Sequence, residues 1–379
     1  MSGEANVAKA GLEGIVAAQS AISDVNGTEG RLIYAGYDIH DLAERSSFEE
    51  VIYLLWHLKL PTATELAELK NQLARESALP EQINRLIESL PADAFPMDVL
   101  RTVVSALGHY DPDSGDNSIE ANVRKAIRLT ARLPMIVTTF QRTRHGQPPI
   151  PPSKDLSLAA NFLYTLSGKD PDDVATRTID VAFILHADHE LNASTFAARV
   201  TAATLSDMYS AICSAIGTLK GPLHGGANEG VIKCLLEIGS VDRVESWTRN
   251  ALANKVKIMG FGHRVYRTED PRATHLREMS RKLGERTSEK KWYEMSRKME
   301  EVMMREKKLN PNVDFYSAST YHALGLPTDL FTPIFACSRI SGWTAHVLEQ
   351  YQNNRLIRPR AEYIGPRGLK YVPLAKRRQ

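Results

Sequence analysis

The chain has 379 residues, 43% hydrophobic and 24% charged, the balance of a folded globular protein rather than a disordered one. Its 47 Lys and Arg stand against 45 Asp and Glu, and a net charge of +2 excludes the concentrated basic charge of a dedicated nucleic-acid binder. No apolar run approaches the roughly 18 residues of a membrane span, and Met1 to Ala10 lacks the basic-then-apolar order expected of a secretory signal.

In chain order, strand character is confined to the beginning. Gly14 to Ser23 and Arg31 to Tyr34 flank a turn-forming Asn26-Gly27, which predicts one small hairpin. Helical periodicity then takes over. Ser46-Ser47-Phe48-Glu49-Glu50 offers a capping box in either register. Behind it Phe48, Val51, Ile52, Leu55 and Trp56 make one stripe, and Pro61 stops the helix. Ile83, Leu86, Ile87 and Leu90 repeat the pattern between Pro80 and Pro91, as do Leu100, Val103, Val104 and Leu107 between Pro96 and Gly108. Gly146 to Ser153 is a Pro-rich extended connection. Val181 to Leu185 is apolar on several faces, which predicts a helix inside a bundle.

Residues 241–310 are unusually charged and end in a Met- and Lys-rich helix, Lys298 to Lys308, whereas the stretch from Ser317 through Leu330 to Ile340 is apolar. A charged insert between apolar flanks predicts a smaller domain at 226–323 hung on a larger one made of 1–225 and 324–379. No sustained βαβ alternation exists, so a doubly wound sheet is excluded and the predicted fold is mostly α. Lys376-Arg377-Arg378 reads as a solvated terminus. Cys213, Cys234 and Cys337 are widely spaced, odd in number and set among apolar neighbours. They read as small core residues and neither a disulfide framework nor a zinc knuckle, with a reducing cytoplasm as the expected compartment.

Five segments carry chemistry. In Gly221-Pro222-Leu223-His224-Gly225-Gly226 a histidine stands between glycines, which disfavour helix by about 1 kcal/mol each and let backbone approach a ligand. The alternative there is a loop with a surface histidine. Lys257 to Arg267 presents a second glycine-flanked histidine, His263, in a basic Gly-rich loop. A dinucleotide fingerprint does not fit it, because the third glycine, the crossover and the acidic residue are missing. An anion cradle with Lys257, Arg264 and Arg267 fits better, the alternative being a basic turn with no ligand.

His186 and His189 have the i, i+3 spacing of a helical metal pair, but no third ligand stands out. The preferred reading makes His186 a satisfied core histidine and His189 a hydrogen-bonding group at the end of a buried helix. Asp314 lies in the apolar and aromatic Asn312-Val313-Asp314-Phe315-Tyr316, where desolvation strengthens a carboxylate as a base; its bland alternative is a helix N-cap. Arg339 sits within the nearly apolar Phe331 to Trp343 and requires a partner, an anionic ligand being one candidate.

Together these segments resemble the citrate synthase family from about Gly11 to the C-terminus. The resemblance rests on GPLHGGANE (221–229), GFGHRVYRTEDPRA (260–273), PNVDFYS (311–317), SRISGW (338–343) and RPR (358–360), in that order. It implies a large helical domain interrupted by a small helical one, with the active site in the cleft between them. It also implies condensation of acetyl-CoA with oxaloacetate and water to citrate and CoA, with acetyl-CoA a substrate and no cofactor or metal. Lacking the longer N-terminal extension of the hexameric members, the chain looks like the shorter, dimeric kind.

Carried over by motif, His224 resembles the donor to the thioester oxygen, Asp314 the base and His263 the acid at the ketone. His189, Arg272 and Arg339 resemble oxaloacetate contacts, with Arg358 reaching in from a partner subunit. Lys257, Ile258, Met259, Gly260 and Phe261 resemble the segment that holds the adenine end of CoA, and Arg267 a phosphate contact. The rival within the family is 2-methylcitrate synthase, which takes propionyl-CoA. Rivals outside it are a metal-dependent hydrolase on His186, Asp188 and His189, and a non-catalytic sensor of CoA or dicarboxylates.

Overall fold

A computed structural model describes residues 10–12 and 14–377. The N-terminal stretch read for a signal, apart from Ala10, and Arg378 of the basic tail lie outside the described residues. Three strands, β1 (Ser23–Asn26), β2 (Arg31–Tyr34) and β3 (Tyr37–Asp38), make one antiparallel sheet in chain order, with Val25 opposite Leu32. The strand expected over Gly14 to Ser23 is reduced to its last residue. The chain before it forms no ladder and exposes Ile15 and Val16; of its apolar residues Ile22 alone is buried, its carbonyl accepting from Ala35 N–H.

Sixteen helices follow among the described residues. The first ten are α1 (Ile39–Arg45), α2 (Phe48–His57), α3 (Ala63–Glu76), α4 (Glu81–Glu88), α5 (Pro96–Leu107), α6 (Ile119–Thr143), α7 (Leu158–Ser167), α8 (Asp173–His186), α9 (Ala193–Ala202) and α10 (Met208–Leu219). The rest are α11 (Ala227–Ile238), α12 (Val241–Ala253), α13 (Pro271–Thr287), α14 (Lys290–Lys307), α15 (Val313–Ala323) and α16 (Phe331–Gln352). Of the two capping registers, Ser47 is the cap: its hydroxyl accepts from Glu50 N–H while the Glu50 carboxylate accepts from Ser47 N–H. The helix ends at His57, before Pro61, through Leu58 in the left-handed region.

The core is organised around α16. Every residue from Phe331 to Leu348 is buried, because this helix, Arg339 and His346 apart, is apolar or small on all faces and packs against α2, α6, α8, α9 and α10. At Gly342 it crosses the end of α8 so closely that a methyl group would sit 2.3 Å from the Ala187 carbonyl oxygen. Helices α11–α15 pack largely on one another, with α13 reaching α1 and α8 and α11 reaching α16. The chain returns from α15 to α16 through Leu324 to Leu330. Cys337 is fully buried, but Cys213 and Cys234 are only half-buried at the edge of the core, less enclosed than their apolar neighbours suggested.

Candidate active site

Where these helix groups meet there is a cavity of about 500 Å³ lined by the loops around His189, His224 and His263 and by Asp314. A smaller recess of about 110 Å³ at its base adds Arg272, Phe335 and Arg339. Each functional side chain is held by its own local structure.

His224 projects from the tight link between α10 and α11. There Gly225 N–H bonds the Leu219 carbonyl at 2.9 Å, and a methyl on Gly225 would meet that same oxygen at 2.6 Å. The Ser194 N–H, one of the orphan donors in the first turn of α9, points to His224 Nε2 at 3.3 Å, and the Ser194 hydroxyl lies 2.8 Å from it. Trp343 Nε1–H donates to that hydroxyl at 3.1 Å. Nε2 therefore accepts, and the ring proton is on Nδ1. Burial, then the Arg339 charge, lowers the imidazole to about 4, so it is neutral at physiological pH.

His263 is fixed in the mirror sense. The backbone N–H groups of Val265 and Tyr266 donate to its Nδ1 at 3.0 and 3.2 Å, which leaves the proton on Nε2. Burial, then Arg272, lowers it to about 4 as well. His189 lies past the end of α8, buried, with Nε2 3.1 Å from the Tyr266 hydroxyl. Burial first, then Arg272, holds it well below the usual range. The His189 and His263 ring centroids are 5.2 Å apart.

The segments GFGH and PNVD run side by side. Gly262 N–H bonds the Asn310 carbonyl and Asn312 N–H the Gly260 carbonyl, each at 2.9 Å, while the Asn312 side chain donates to the Gly262 carbonyl at 2.9 Å. Gly260, at φ +82°, has room for no side chain, since a methyl would fall 2.7 Å from Val231 and 2.9 Å from Phe315 Cβ. The N-cap of α15 is Asn312, which accepts from Asp314 N–H at 3.1 Å. Asp314 is thereby freed from capping. Its Oδ1 is shut off from solvent with no hydrogen-bond partner, and burial pushes the carboxyl up to about 7 against the pull of Arg272 and Arg339.

The two buried arginines differ. Arg272 is held bidentately by Asp270 at 2.9 and 2.8 Å, and Asp270 also caps the N-terminus of α13 and accepts from Val313 N–H. Burial alone would lower the Arg272 guanidinium, but this carboxylate reverses the effect and keeps it above its ordinary value. Arg339 donates Nε–H to the His186 carbonyl at 2.6 Å and stacks its guanidinium 4.7 Å over Phe335. No carboxylate among the described residues lies within ion-pair distance of it. Burial lowers it to about 10, with Asp188 partly offsetting, and its remaining N–H groups serve the recess.

The helical metal pair does not form. α8 ends at His186, whose ring is buried with Nδ1 2.8 Å from the Ala182 carbonyl, while His189 faces the cavity from the following loop. His186 is a core histidine but only half satisfied, since its Nε2 has no partner; burial lowers it to about 3. Of the segment read as holding the adenine end of CoA, Lys257, Met259, Gly260 and Phe261 line the cavity. Ile258 turns into the apolar core instead, and Arg267 stands exposed outside the wall, its main chain bonded to Gly27. Arg264 joins Lys257 as a cationic side chain at the cavity wall.

Arg358 is exposed on the C-terminal segment and lines neither chamber of its own chain. Asn192, Ser194 and Phe335 escaped the sequence reading. Phe335 had a signal, its i, i+4 spacing to Arg339 on one face of α16.

A buried carboxylate without a partner, two neutral histidines lining one cavity and a dicationic recess suit an enzyme that deprotonates one substrate and joins it to an anionic second one. Residues 11–360 match the family model for the citrate synthase C-terminal domain. Citrate synthase 2 of Bacillus subtilis is 58% identical over 97% of this chain and 98% of its own, and the citrate synthase of Haloferax volcanii 50% identical over the whole of both. The 2-methylcitrate synthase of Shewanella oneidensis is 44% identical, also over full length. The solved Thermoplasma acidophilum citrate synthase, a ternary complex with carboxymethyl coenzyme A and oxaloacetate, superposes with a TM-score of 0.91 at 35% identity, covering 97% of this chain and 98% of that one. The chain belongs to the citrate synthase family.

Proposed function

We propose that this chain condenses acetyl-CoA with oxaloacetate and water to give citrate and CoA, and that the residues above divide the work as follows. The observation that carries the reading is the unpartnered, solvent-shielded Oδ1 of Asp314 on a carboxyl at about 7, with His224 and His263 on the same cavity wall. A thioester methyl is a very weak acid. Asp314 removes its proton only if the forming enolate oxygen is stabilised, and the Nδ1–H of His224 is a preorganised donor for that oxygen. The enolate carbon attacks the ketone carbon of oxaloacetate, whose oxygen takes the Nε2–H of His263. Arg272, Arg339 and His189 orient the two carboxylates of oxaloacetate in the recess. Water then hydrolyses the citryl thioester and releases CoA.

The outer chamber, with Lys257, Met259, Gly260, Phe261 and Arg264 on its wall, takes the CoA arm. Residues 226–323 act as the small domain that closes on the rest. The enzyme works as a homodimer in the cytoplasm, with Arg358 completing the neighbouring site. Support for the dimer is the exposure of Leu356, Tyr363, Ile364, Leu369 and Tyr371 along the C-terminal segment, an apolar surface that a second subunit would cover. Thiol release from acetyl-CoA that depends on oxaloacetate tests the reaction, and its absence in the folded protein rejects it.

The second reading, 2-methylcitrate synthesis from propionyl-CoA, is favoured by the full-length 2-methylcitrate synthase relatives. One methylene is discriminated by about 1–3 kcal/mol, so the ratio of kcat/KM for the two thioesters decides between them.

A further inference from the structure

His189 and His263 come from segments remote in the chain, yet one small element touches both loops. At its base, the β1–β2 hairpin grips the loop of His189. Tyr34 Oη donates to the Asp188 carbonyl at 2.9 Å and accepts from Asp188 N–H at 3.2 Å, while Ser23 Oγ accepts from Glu190 N–H at 2.9 Å and donates to the Asp188 carboxylate. Leu32 and Tyr34 are fully buried and anchor the hairpin in the large core.

At its tip, the hairpin meets the loop of His263. The Gly27 carbonyl accepts from Arg267 N–H at 2.8 Å, and a methyl on Gly27 would lie 2.1 Å from the Val265 carbonyl oxygen and 2.7 Å from its carbon. A methyl on Gly30 would likewise lie 2.4 Å from Thr268 Oγ1. The contacted stretch is the one that aims His263, because Val265 and Tyr266 supply the two N–H groups on its Nδ1.

We propose that the β1–β2 hairpin is a gauge that sets His263 against His189, and that Gly27 is a positioning residue for the ketone half of the reaction, acting through Val265 and Arg267. The assignment rests on the proposed condensation. Gly27 is not among the glycines in the left-handed region, so alanine there strains no backbone and adds only the methyl. To escape contact at 2.1 Å with main-chain atoms, residues 265–267 must retreat by about 1 Å, a misplacement that costs a reaction on the order of 100-fold.

The test compares the wild-type chain, Gly27→Ala and Gly36→Ala by oxaloacetate-dependent thiol release, with KM for each substrate and Tm. Gly36, at φ +92° in the β2–β3 turn with nothing within 4 Å of an added methyl, weakens the same sheet without touching the His263 loop. Gly27→Ala is expected to lose kcat by about 10–100-fold, with KM for acetyl-CoA within threefold and Tm within a few degrees. Gly36→Ala is expected to lower Tm and keep kcat. Gly27→Ala turning over within threefold of an active wild type overturns the gauge alone. So does an equal loss of kcat in both variants that tracks Tm, since the hairpin would then be only a stabilising element. A wild-type chain that releases no thiol overturns the proposed condensation itself.

Discussion

Asp314→Asn should abolish turnover and stabilise the protein at the same time. The carboxyl is held at about 7 by burial, against 3.8 when unperturbed, so above pH 7 the folded state carries an ionised group that the unfolded chain hydrates better. That mismatch disfavours folding by about 4 kcal/mol as an upper figure. The sign follows from proton binding: the folded protein holds this proton more tightly, so the penalty is complete above about 7 and fades as pH falls toward 4. Asparagine removes the charge but leaves a buried amide to be satisfied, at about 1–3 kcal/mol, so the net gain at pH 8 is about 1–3 kcal/mol. Calorimetry at pH 8 and pH 5 should show the variant melting higher at pH 8, with the advantage shrinking at pH 5. The thiol-release assay should show kcat down by at least about 10²-fold, with oxaloacetate still binding in the recess. Turnover within tenfold of wild type in a folded variant refutes the base. A variant that melts lower than wild type at both pH values refutes the burial argument.

The pH dependence of kcat/KM should show one ionisation between pH 5 and 9: the log rate falls with unit slope below about 7 as Asp314 protonates, because His224 and His263, both near 4, stay neutral. A slope of two would return a histidine to that range. Arg339→Gln should raise KM for oxaloacetate by about 10–100-fold, as expected for losing a charged hydrogen bond, and leave KM for acetyl-CoA nearly unchanged; steady-state kinetics with each substrate varied checks this. Finally, Arg358→Ala chains mixed with Asp314→Asn chains under subunit exchange should regain activity, up to about half per heterodimer if Arg358 completes the neighbouring site. No recovery, with exchange confirmed by mass, rejects the shared site.

What the sequence determined by itself was whatever depends on neighbours along the chain. The stripe from Phe48 to Trp56, the Ser47–Glu50 box and the burial of Val181 to Leu185 are local patterns, because an amphipathic or wholly apolar helix advertises its own faces. The glycine-flanked histidines were equally legible as residues that no helix core accounts for, and Asp314 as a carboxylate set in an apolar and aromatic stretch. Tertiary structure decided which of these groups are free to react. Nothing local distinguishes Asp314 as a cap from Asp314 as a base; that follows from Asn312 taking the cap and the packed cavity leaving Oδ1 alone. Nothing local tells that α8 stops at His186, that Ile258 faces the core, or that Arg264 lines the cavity where Arg267 does not. Gly27 read as a turn residue, and its tightest constraint comes from Val265, across the fold. Periodicity records which face of a segment is buried, whereas pKa, missing partners and close approach are set by what buries it, and those atoms belong to other parts of the chain.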